Sequence, residues 1–309
     1  MSILRCPCCG TVANWQQVQA TKYRQNSRTT VIECQNCHCQ IHLKQLLATL
    51  SNSISEAIEQ EYNDIQTLAD IFPASSVFGT LRAVALNKEE GILATCYIPG
   101  ETLEQALHNA PHEAIPLLTK CGQWLKLFHH TSKPVIVHSD SLEKLAYIES
   151  LWDIPRVPGL IKATLPCFSE AARQLGHESD TGYLIHGDFT PDNIRVGNGK
   201  ITAVDINRRL RNTPDSDLAP FLNHLAFFVR SPRGLKYYRR LDSLETAFLR
   251  GYSDIPLNEM RLTWYRLYYL LSYWGNASQS SLLRRHYARL QFSGPIAVQA
   301  NKLKKLLAH

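Results

Sequence analysis

The 309-residue chain has no long apolar run, no internal repeat and no low-complexity tract. None of its apolar stretches approaches the roughly 18 residues that a membrane-spanning helix needs, so we expect no transmembrane segment. No apolar signal segment follows Met1, and we therefore expect a cytoplasmic protein whose thiols stay reduced. What remains is a globular composition, with 44% hydrophobic and 19% charged residues and enough length for a substantial buried core.

The most informative segment begins at His186 and reads His-Gly-Asp-Phe-Thr-Pro-Asp-Asn. Asp205 follows twelve residues after Asn193, between two apolar residues. Asp188 can orient an attacking hydroxyl, and Asn193 and Asp205 offer the oxygen ligands that Mg²⁺ prefers. Alternating apolar residues around a Gly-Asn-Gly turn at 197–199 predict a hairpin that brings these two ligands to neighbouring strand ends. The pattern indicates phosphoryl transfer from ATP.

These residues resemble the aminoglycoside phosphotransferase and choline kinase family, a branch of the protein-kinase-like fold. Pro-Asp-Ser-Asp-Leu-Ala at 214–219 is similar to the family's Asp-Pro-x-x-Asp-Leu-Ala pattern, with Asp217 as its structural Asp. The chain departs from the family in one place, because Ile206-Asn207 stands where an aromatic residue often follows the metal-binding Asp. The resemblance implies a kinase that phosphorylates a hydroxyl of a small molecule, with Asp188 as the base.

The segment Gly91–Leu103 resembles the family's hinge, an apolar strand that ends in Tyr-x-Pro-Gly. This likeness implies that the carbonyl of Cys96 and the amide of Ile98 hold the adenine. A plain edge strand is the local alternative, because backbone contacts place no demand on side chains. Residues 119–130 predict a helix from their apolar spacing, and its end matches a Leu-x-x-x-His pattern of the family, with His129 as a structural residue.

Residues 55–72 predict an amphipathic helix. In the family this helix carries a Glu that pairs with a phosphate-binding Lys on the preceding strand. Glu61 is the expected Glu and Glu59 is the alternative, while Lys44 is the expected Lys. A lone Lys is otherwise a solvated surface charge. No Gly-rich phosphate loop is present, and the polar segment at 24–30 stands where one would fall.

Six of the nine cysteines lie within the first 39 residues. Cys6 with Cys9 and Cys34 with Cys37 form two Cys-x-x-Cys pairs, a spacing that predicts a structural Zn²⁺ site. The second pair can also slip to Cys37 and Cys39, and disulfides are the rival interpretation. The competing ligands are Cys8, Cys39, His38 and His42.

The second pair lies between two alternating stretches, at 29–33 and 40–44, and the latter contains Lys44. We therefore expect the zinc ribbon to be part of the N-lobe, where the ion would hold together a sheet with little core of its own. The ribbon region carries five Lys or Arg residues against Glu33 alone, so nucleic-acid binding is a less favoured alternative.

From Asp205 onward the chain carries seventeen Lys or Arg against seven Asp or Glu, although its whole formal charge is only +6. This excess favours a neutral or anionic acceptor, such as a sugar, over a polycation, with a solvated basic surface as the alternative. The same region is rich in aromatic residues at helical spacing, for which we expect core packing rather than stacking on a sugar. These residues are Trp264, Tyr265, Tyr268, Tyr269, Tyr273 and Trp274.

The expected fold is α+β and two-lobed, like that of the protein kinases. Residues 1–95 would form an N-lobe with an antiparallel sheet, a helix and the zinc ribbon, residues 96–100 a hinge, and residues 101–309 a mainly helical C-lobe. ATP, Mg²⁺ and structural Zn²⁺ are the expected cofactors, and a small molecule with a hydroxyl is the expected partner. A pseudokinase scaffold or sensor, and a zinc-ribbon adaptor for nucleic acid or protein, are the rival hypotheses.

Overall fold

The computed structural model describes residues 5–12, 14–23, 26–47, 53–72, 77–152, 157–206, 211–278 and 282–308, apart from the side chains at 71, 282–285, 287 and 288. The chain forms two compact units, Met1–Glu101 with Arg195–Ile206, and Thr102–Ile194 with Asn207–His309. Asp205 therefore belongs to the first unit and Asp188 to the second. Residues 24 and 25 of the predicted phosphate-covering segment, and Asn207, lie outside the described residues.

An antiparallel sheet is the base of the first unit. Its strands are β1 (Trp15–Gln17), β2 (Lys22–Tyr23), β3 (Ser27–Cys34), β4 (Gln40–Leu46), β6 (Ala83–Asn87) and β7 (Ile92–Cys96). They lie in the order β1-β3-β4-β7-β6, and β2 pairs with β3. The cysteine pair at 34–37 is the turn between β3 and β4, so the ribbon shares its sheet with Lys44.

Helix α1 (Ile54–Ile71) packs on this sheet and lies within one residue of its predicted bounds. Ser53 starts the helix because its hydroxyl accepts a hydrogen bond from the Glu56 amide. Ile58 and Ile65, two turns apart, face Leu93 of β7 in a small core. Burial of this apolar stripe fixes which face of the helix, and therefore which of its acidic residues, is turned toward β4.

A second sheet has the strand order β5-β12-β11-β8. The strands are β5 (Phe78–Gly79), β8 (Glu101–Thr102), β11 (Ile194–Gly197) and β12 (Lys200–Ala203). Asn198 and Gly199 both have positive φ angles, of 52° and 72°, as the two central residues of a type I′ hairpin turn require. The hairpin is therefore present, although its second strand ends at Ala203, three residues earlier than Ile206.

The second unit is mainly helical. Its helices are α2 (Leu103–Asn109), α3 (Ala114–His130), α4 (Ser141–Leu151), α5 (Gly159–Gly176), α6 (Asp215–Phe228), α7 (Leu241–Tyr252), α8 (Glu259–Ser278) and α9 (Leu282–Leu307). Single 3₁₀ turns occupy Pro111–Glu113 and Pro191–Asn193, and a longer 3₁₀ helix occupies Leu235–Arg240. A small sheet has the order β13 (Arg211–Asn212), β10 (Ser179–Leu184), β9 (Val135–His138).

Two glycines allow helices α3 and α7 to pack backbone against backbone. A Cβ atom on Gly122 would lie 2.1 Å from the Phe248 carbonyl oxygen, and one on Gly251 would lie 2.0 Å from the Thr119 carbonyl oxygen. Elsewhere the core is aromatic, with Trp264 of α8 stacked on Phe168 of α5 at 4.9 Å. No helix among the described residues is both long and apolar enough to cross a bilayer.

Candidate active site

The predicted catalytic residues lie in the loop between β10 and β11. The Asn193 amide nitrogen donates to a carboxylate oxygen of Asp188 at 2.7 Å and to the Asp188 carbonyl oxygen at 2.9 Å. Asn193 is buried, whereas Asp188 is exposed. Among the described residues, none donates to the side-chain oxygen of Asn193, so this oxygen remains available to a metal ion.

The fully buried carboxylate of Asp217 holds the backbone of this loop by hydrogen bonds. Asp217, at the start of α6, accepts hydrogen bonds from the backbone amides of His186 at 2.6 Å and Gly187 at 2.8 Å. It also accepts one from Nε2 of His129 at 3.0 Å, and Nδ1 of His129 accepts the hydroxyl of Tyr252 at 2.7 Å. Burial alone would raise the pKa of Asp217, but the hydrogen bonds from His129 and from the His186 amide lower it below its usual value.

The ring of His186 belongs to the hydrophobic core. It is fully buried, and its centroid lies 6.2 Å from that of Trp124, 6.0 Å from Phe128 and 5.5 Å from Phe189. The backbone of His186 is clamped by Asp217 while its side chain is enclosed by these rings. Nδ1 of His186 also accepts a hydrogen bond from the Asp188 amide at 3.4 Å, so both the backbone and the side chain of His186 hold the loop in place.

In the first unit, Lys44 of β4 pairs with Glu61 of α1. The Lys44 Nζ atom lies 2.7 and 2.9 Å from the two carboxylate oxygens of Glu61. Both side chains are about one quarter exposed, at 26% and 25%. The alternative residue, Glu59, contacts Lys88 instead. The structure thus separates two candidates that the sequence left open.

Asp205 lies two residues after β12, with a positive φ of 59°. This left-handed conformation is costly for most residues but is tolerated by Asp, and such outliers concentrate at functional sites. His42 lies two residues before Lys44 on β4, and burial lowers its pKa. The charge of Asp205 acts on His42 in the opposite direction, whereas Lys44 lowers the pKa further. Lys44 and Asp205 are therefore both within electrostatic range of the same side chain.

The hinge prediction concerns two backbone groups at the end of β7, the carbonyl of Cys96, which is the last residue of the strand, and the amide of Ile98. The Cys96 amide donates to the Arg82 carbonyl at 2.9 Å, and the Tyr97 amide donates to the Gln40 carbonyl at 3.3 Å. Within the described part of the chain, the Ile98 amide has no hydrogen-bond acceptor. An unused backbone donor directly after a sheet strand can bind a nucleobase edge.

Four sulfur atoms gather at the ends of the two Cys-x-x-Cys turns. Cys6 lies 3.4 Å from Cys37 and Cys9 lies 3.9 Å from Cys34, and all four sulfurs lie within 4.8 Å of one another. A tetrahedral zinc ion with bonds of about 2.3 Å needs sulfurs about 3.8 Å apart. The residues therefore fit the ion that their spacing predicts.

The two turns have the same backbone design. Gly10 and His38 each come four residues after the first cysteine of their pair and have positive φ angles of 69° and 58°. Each donates its amide to that cysteine's carbonyl, from Gly10 to Cys6 at 2.9 Å and from His38 to Cys34 at 2.8 Å. The turns thus present their sulfurs in equivalent ways.

The competing ligands are arranged differently. Cys8 and Cys39 form a disulfide whose Cα atoms lie 6.4 Å apart, contrary to the expectation that the thiols stay reduced, and the sulfurs of both also lie within 4.8 Å of that of Cys6. The imidazole of His38 is hydrogen-bonded to Glu33 at 2.9 Å. Neither His38 nor His42 belongs to a metal-ligand group within the described residues.

Sequence reasoning assigned Tyr273 of α8 to the core rather than to a sugar-binding surface, and it did not consider His224 of α6. His224 comes two helical turns after Asp217, so helical spacing on α6 was a usable signal. Burial lowers the pKa of His224, against the raising effect of the Asp192 charge. Burial, followed by the Asp188 charge, raises the pKa of Tyr273 to about 12. Both side chains therefore lie within electrostatic range of the loop between β10 and β11, the predicted catalytic loop.

The chain matches the model of a phosphotransferase enzyme family, designated APH, over residues 46–253. No curated protein sequence matches it at a significant level. Among solved structures it is similar to the choline kinase LicA from Streptococcus pneumoniae, with 16% identity, a TM-score of 0.53 and coverage of 91% of this chain and 93% of that one.

Two further structures are similar over most of their length. A glucosamine kinase in complex with glucosamine, ADP and inorganic phosphate has 14% identity and a TM-score of 0.57, with coverage of 96% and 82%. The amicoumacin kinase hAmiN, in complex with AMP-PNP, Ca²⁺ and Ami, has 14% identity and a TM-score of 0.57, with coverage of 93% and 87%. At such identities the likeness is one of fold, and it confirms the predicted protein-kinase-like α+β class.

Proposed function

The chain belongs to the phosphotransferase enzyme family, and on that premise we propose that it transfers the γ-phosphoryl group of ATP to a hydroxyl of a small molecule, such as a sugar or another neutral or anionic metabolite. The kinase class follows from the family. The nucleotide, the metals, the acceptor and the residue roles are the proposal.

The observation that supports these roles best is the arrangement around Asp188. Its carboxylate is exposed, is oriented by the Asn193 amide and stands on a loop clamped by buried Asp217. A carboxylate in this setting can accept the proton of an attacking hydroxyl without moving the backbone. Asn193 and Asp205 would hold Mg²⁺, which when bound neutralises charge on the phosphate oxygens.

The nucleotide would be held by groups of the first unit. Lys44, oriented by Glu61, would bind the phosphates as a positive point charge. The carbonyl of Cys96 and the unused amide of Ile98 would hold the adenine. Zn²⁺ on Cys6, Cys9, Cys34 and Cys37 would stabilise the turn that precedes β4, and therefore the position of Lys44.

The test is release of ADP by the zinc-replete protein with ATP and Mg²⁺, measured across sugars, amino alcohols, aminoglycosides and nucleosides. Asp188→Asn is compared with Asp242→Asn, which removes an exposed carboxylate from the first turn of α7. We expect acceptor-dependent ADP release in wild type and Asp242→Asn, and its loss in Asp188→Asn with ATP binding retained. Equal turnover in Asp188→Asn would exclude Asp188 as the base, and ATP binding without turnover of any acceptor would favour a pseudokinase.

A further inference from the structure

Three helices of the second unit form an aromatic cluster, defined here as His224 and Phe227 of α6, Tyr273 of α8 and Phe292 of α9. The Tyr273 ring centroid lies 6.2 Å from His224, 6.4 Å from Phe227 and 6.3 Å from Phe292. Phe227 and Phe292 are in edge-to-face contact at 5.0 Å. All four rings are only partly buried.

Partial burial separates this cluster from three of the other aromatic residues of α8, whereas Tyr268 and Tyr269 are also only partly buried. Trp264, Tyr265 and Trp274 are buried, at 0%, 3% and 3% exposure, and they fill the core. The expectation of core packing therefore holds for these three residues. Tyr273 instead keeps part of its ring accessible to solvent. This exposed part of the ring can contact a ligand.

The aromatic cluster lies next to the catalytic loop within the same unit. Helix α6 packs against the 3₁₀ turn Pro191–Asn193, which carries Asp192 and Asn193. The charge of Asp188 acts on the hydroxyl of Tyr273, and the charge of Asp192 acts on the ring of His224. A ligand on the aromatic cluster would therefore lie within electrostatic range of the carboxylate that we propose as the base.

The polar atoms of the aromatic cluster are suited to hydroxyl groups. His224, with its lowered pKa, is neutral at pH 7 and offers one donor and one acceptor, and the protonated Tyr273 hydroxyl offers the same pair. Neither side chain is hydrogen-bonded to a described residue. A hydroxyl also donates and accepts, so these groups match a polyol better than they match a carboxylate or an ammonium.

Charge around the aromatic cluster disfavours an anionic ligand. The carboxylates of Asp188 and Asp192 would repel a phosphate group. Arg230, just beyond α6, donates to the Ala226 carbonyl at 2.6 Å and lies over the Tyr238 ring at 5.8 Å. Its guanidinium group is therefore held against the end of α6 and the Tyr238 ring.

We propose that His224, Phe227, Tyr273 and Phe292 form the acceptor-binding face of the enzyme and that the acceptor is a neutral ring with several hydroxyl groups, a pyranose or a cyclitol. The inference rests on the proposed kinase function and narrows its acceptor class. The ring's C–H face stacks on Phe227 and Phe292, its hydroxyls bond to Tyr273 and His224, and one further hydroxyl faces Asp188.

The experiment uses full-length, zinc-replete protein with AMP-PNP and Mg²⁺, and detects binding of five probes by saturation-transfer NMR. Glucose, N-acetylglucosamine and myo-inositol are the neutral polyols, glucose 6-phosphate is the anion and choline is the cation. Acceptor KM, kcat and ATP affinity are then measured for any probe that turns over. Binding and turnover are thus read separately, so failure of the proposed function is distinguishable from failure of the binding face.

The key variant is Tyr273→Phe, and its matched control is Tyr268→Phe on the same helix. Tyr268 is also partly buried, but its neighbours are Trp264, Tyr147 and Lys144 rather than the catalytic loop. We expect at least one neutral polyol to bind, and Tyr273→Phe to weaken it about tenfold with ATP affinity unchanged, the effect of one lost hydrogen bond. Phe292→Leu should weaken the same probe by loss of stacking, and Tyr268→Phe should not.

Two results would overturn the inference. One is binding of choline or glucose 6-phosphate in preference to every neutral polyol. The other is a polyol that binds with equal affinity to wild type, Tyr273→Phe and Phe292→Leu. The protein could then still be a kinase, but its acceptor would bind at another site. A polyol that binds through Tyr273 but is never phosphorylated would support the binding face and count against the proposed kinase activity.

Discussion

Replacing Asp217 by Asn should destabilise the second unit and disable the catalytic loop without touching a reacting group. The buried carboxylate accepts three hydrogen bonds, from the amides of His186 and Gly187 and from Nε2 of His129. Asn keeps one oxygen, which can still accept from Gly187. The NH₂ group of the introduced Asn then faces the amide of His186 and Nε2 of His129. All three groups are hydrogen-bond donors, so neither of these hydrogen bonds can form.

The magnitude follows from those lost contacts. A hydrogen bond to a charged group contributes roughly 1.5–3 kcal/mol, and removing one member of a buried charged network costs roughly 3–5 kcal/mol. Relief of the burial penalty of the carboxylate offsets part of this, so we expect a loss of about 3 kcal/mol in the free energy of unfolding. The free energy of unfolding should decrease by roughly 3 kcal/mol for each molar of urea, so the urea concentration at the unfolding midpoint should fall by about 1 M.

The effect should also depend on pH. Because the folded-state pKa of Asp217 is lowered, its stabilisation is present above the unfolded-state pKa of about 4 and is lost as pH falls through the lower folded value. The difference between wild type and Asp217→Asn should therefore shrink below pH 4. At neutral pH kcat should fall at least tenfold, because the backbone that carries Asp188 has lost its anchor.

The assay is urea unfolding followed by tryptophan fluorescence, with Asp242→Asn as the control for loss of an exposed carboxylate. Asp242→Asn should lie within about 0.5 kcal/mol of wild type. An Asp217→Asn midpoint equal to that of Asp242→Asn, with unchanged kcat, would refute the argument that this carboxylate holds the loop.

Three further predictions follow from the site. Glu61→Gln should raise the KM for ATP several-fold and cost about 1 kcal/mol of stability by releasing Lys44, whereas Glu59→Gln should change neither; equal effects in kinetics would refute the assignment. Cys34→Ser should lower bound zinc from one ion per chain, measured by elemental analysis, and weaken ATP binding; intact ATP binding after zinc loss would separate the ribbon from the nucleotide site. Burial raises the pKa of Asp215 to about 7, so the free energy of unfolding of wild type should fall by roughly 2–4 kcal/mol as pH rises from 5 to 8. Asp215→Asn should remove this fall, as measured by urea titrations at each pH. A parallel pH dependence in the two proteins would contradict the prediction.

The catalytic loop was predictable because its residues lie close together in the sequence. The ion pair of Lys44 and Glu61 was predictable because each residue lies on a regular strand or helix. Asp188 and Asn193 lie five residues apart in one loop, so their contact depends on local chain geometry. Lys44 and Glu61 lie on a strand and a helix that each have a clear apolar pattern. The sequence could not choose between Glu59 and Glu61, because that choice depends on which helix face Ile58 and Ile65 bury.

The aromatic cluster and the buried carboxylates were less accessible from the sequence. His224, Tyr273 and Phe292 come from three helices, and their meeting depends on tertiary packing that local periodicity does not encode. Periodicity alone assigned Tyr273 to the core with its neighbours on α8. Burial of Asp215 was equally hidden, because an acidic residue in the first turn of a helix is ordinarily solvated and favoured by the helix dipole.

The most direct measurement follows the terminal phosphate itself. The zinc-replete protein is incubated with ATP radiolabelled at the γ position, Mg²⁺ and one acceptor at a time, and the label is separated into ATP, inorganic phosphate, protein and small-molecule product. A small-molecule kinase predicts label in a phosphorylated acceptor, dependent on Asp188. Label that stays in ATP with every acceptor, or passes only to protein, would contradict it.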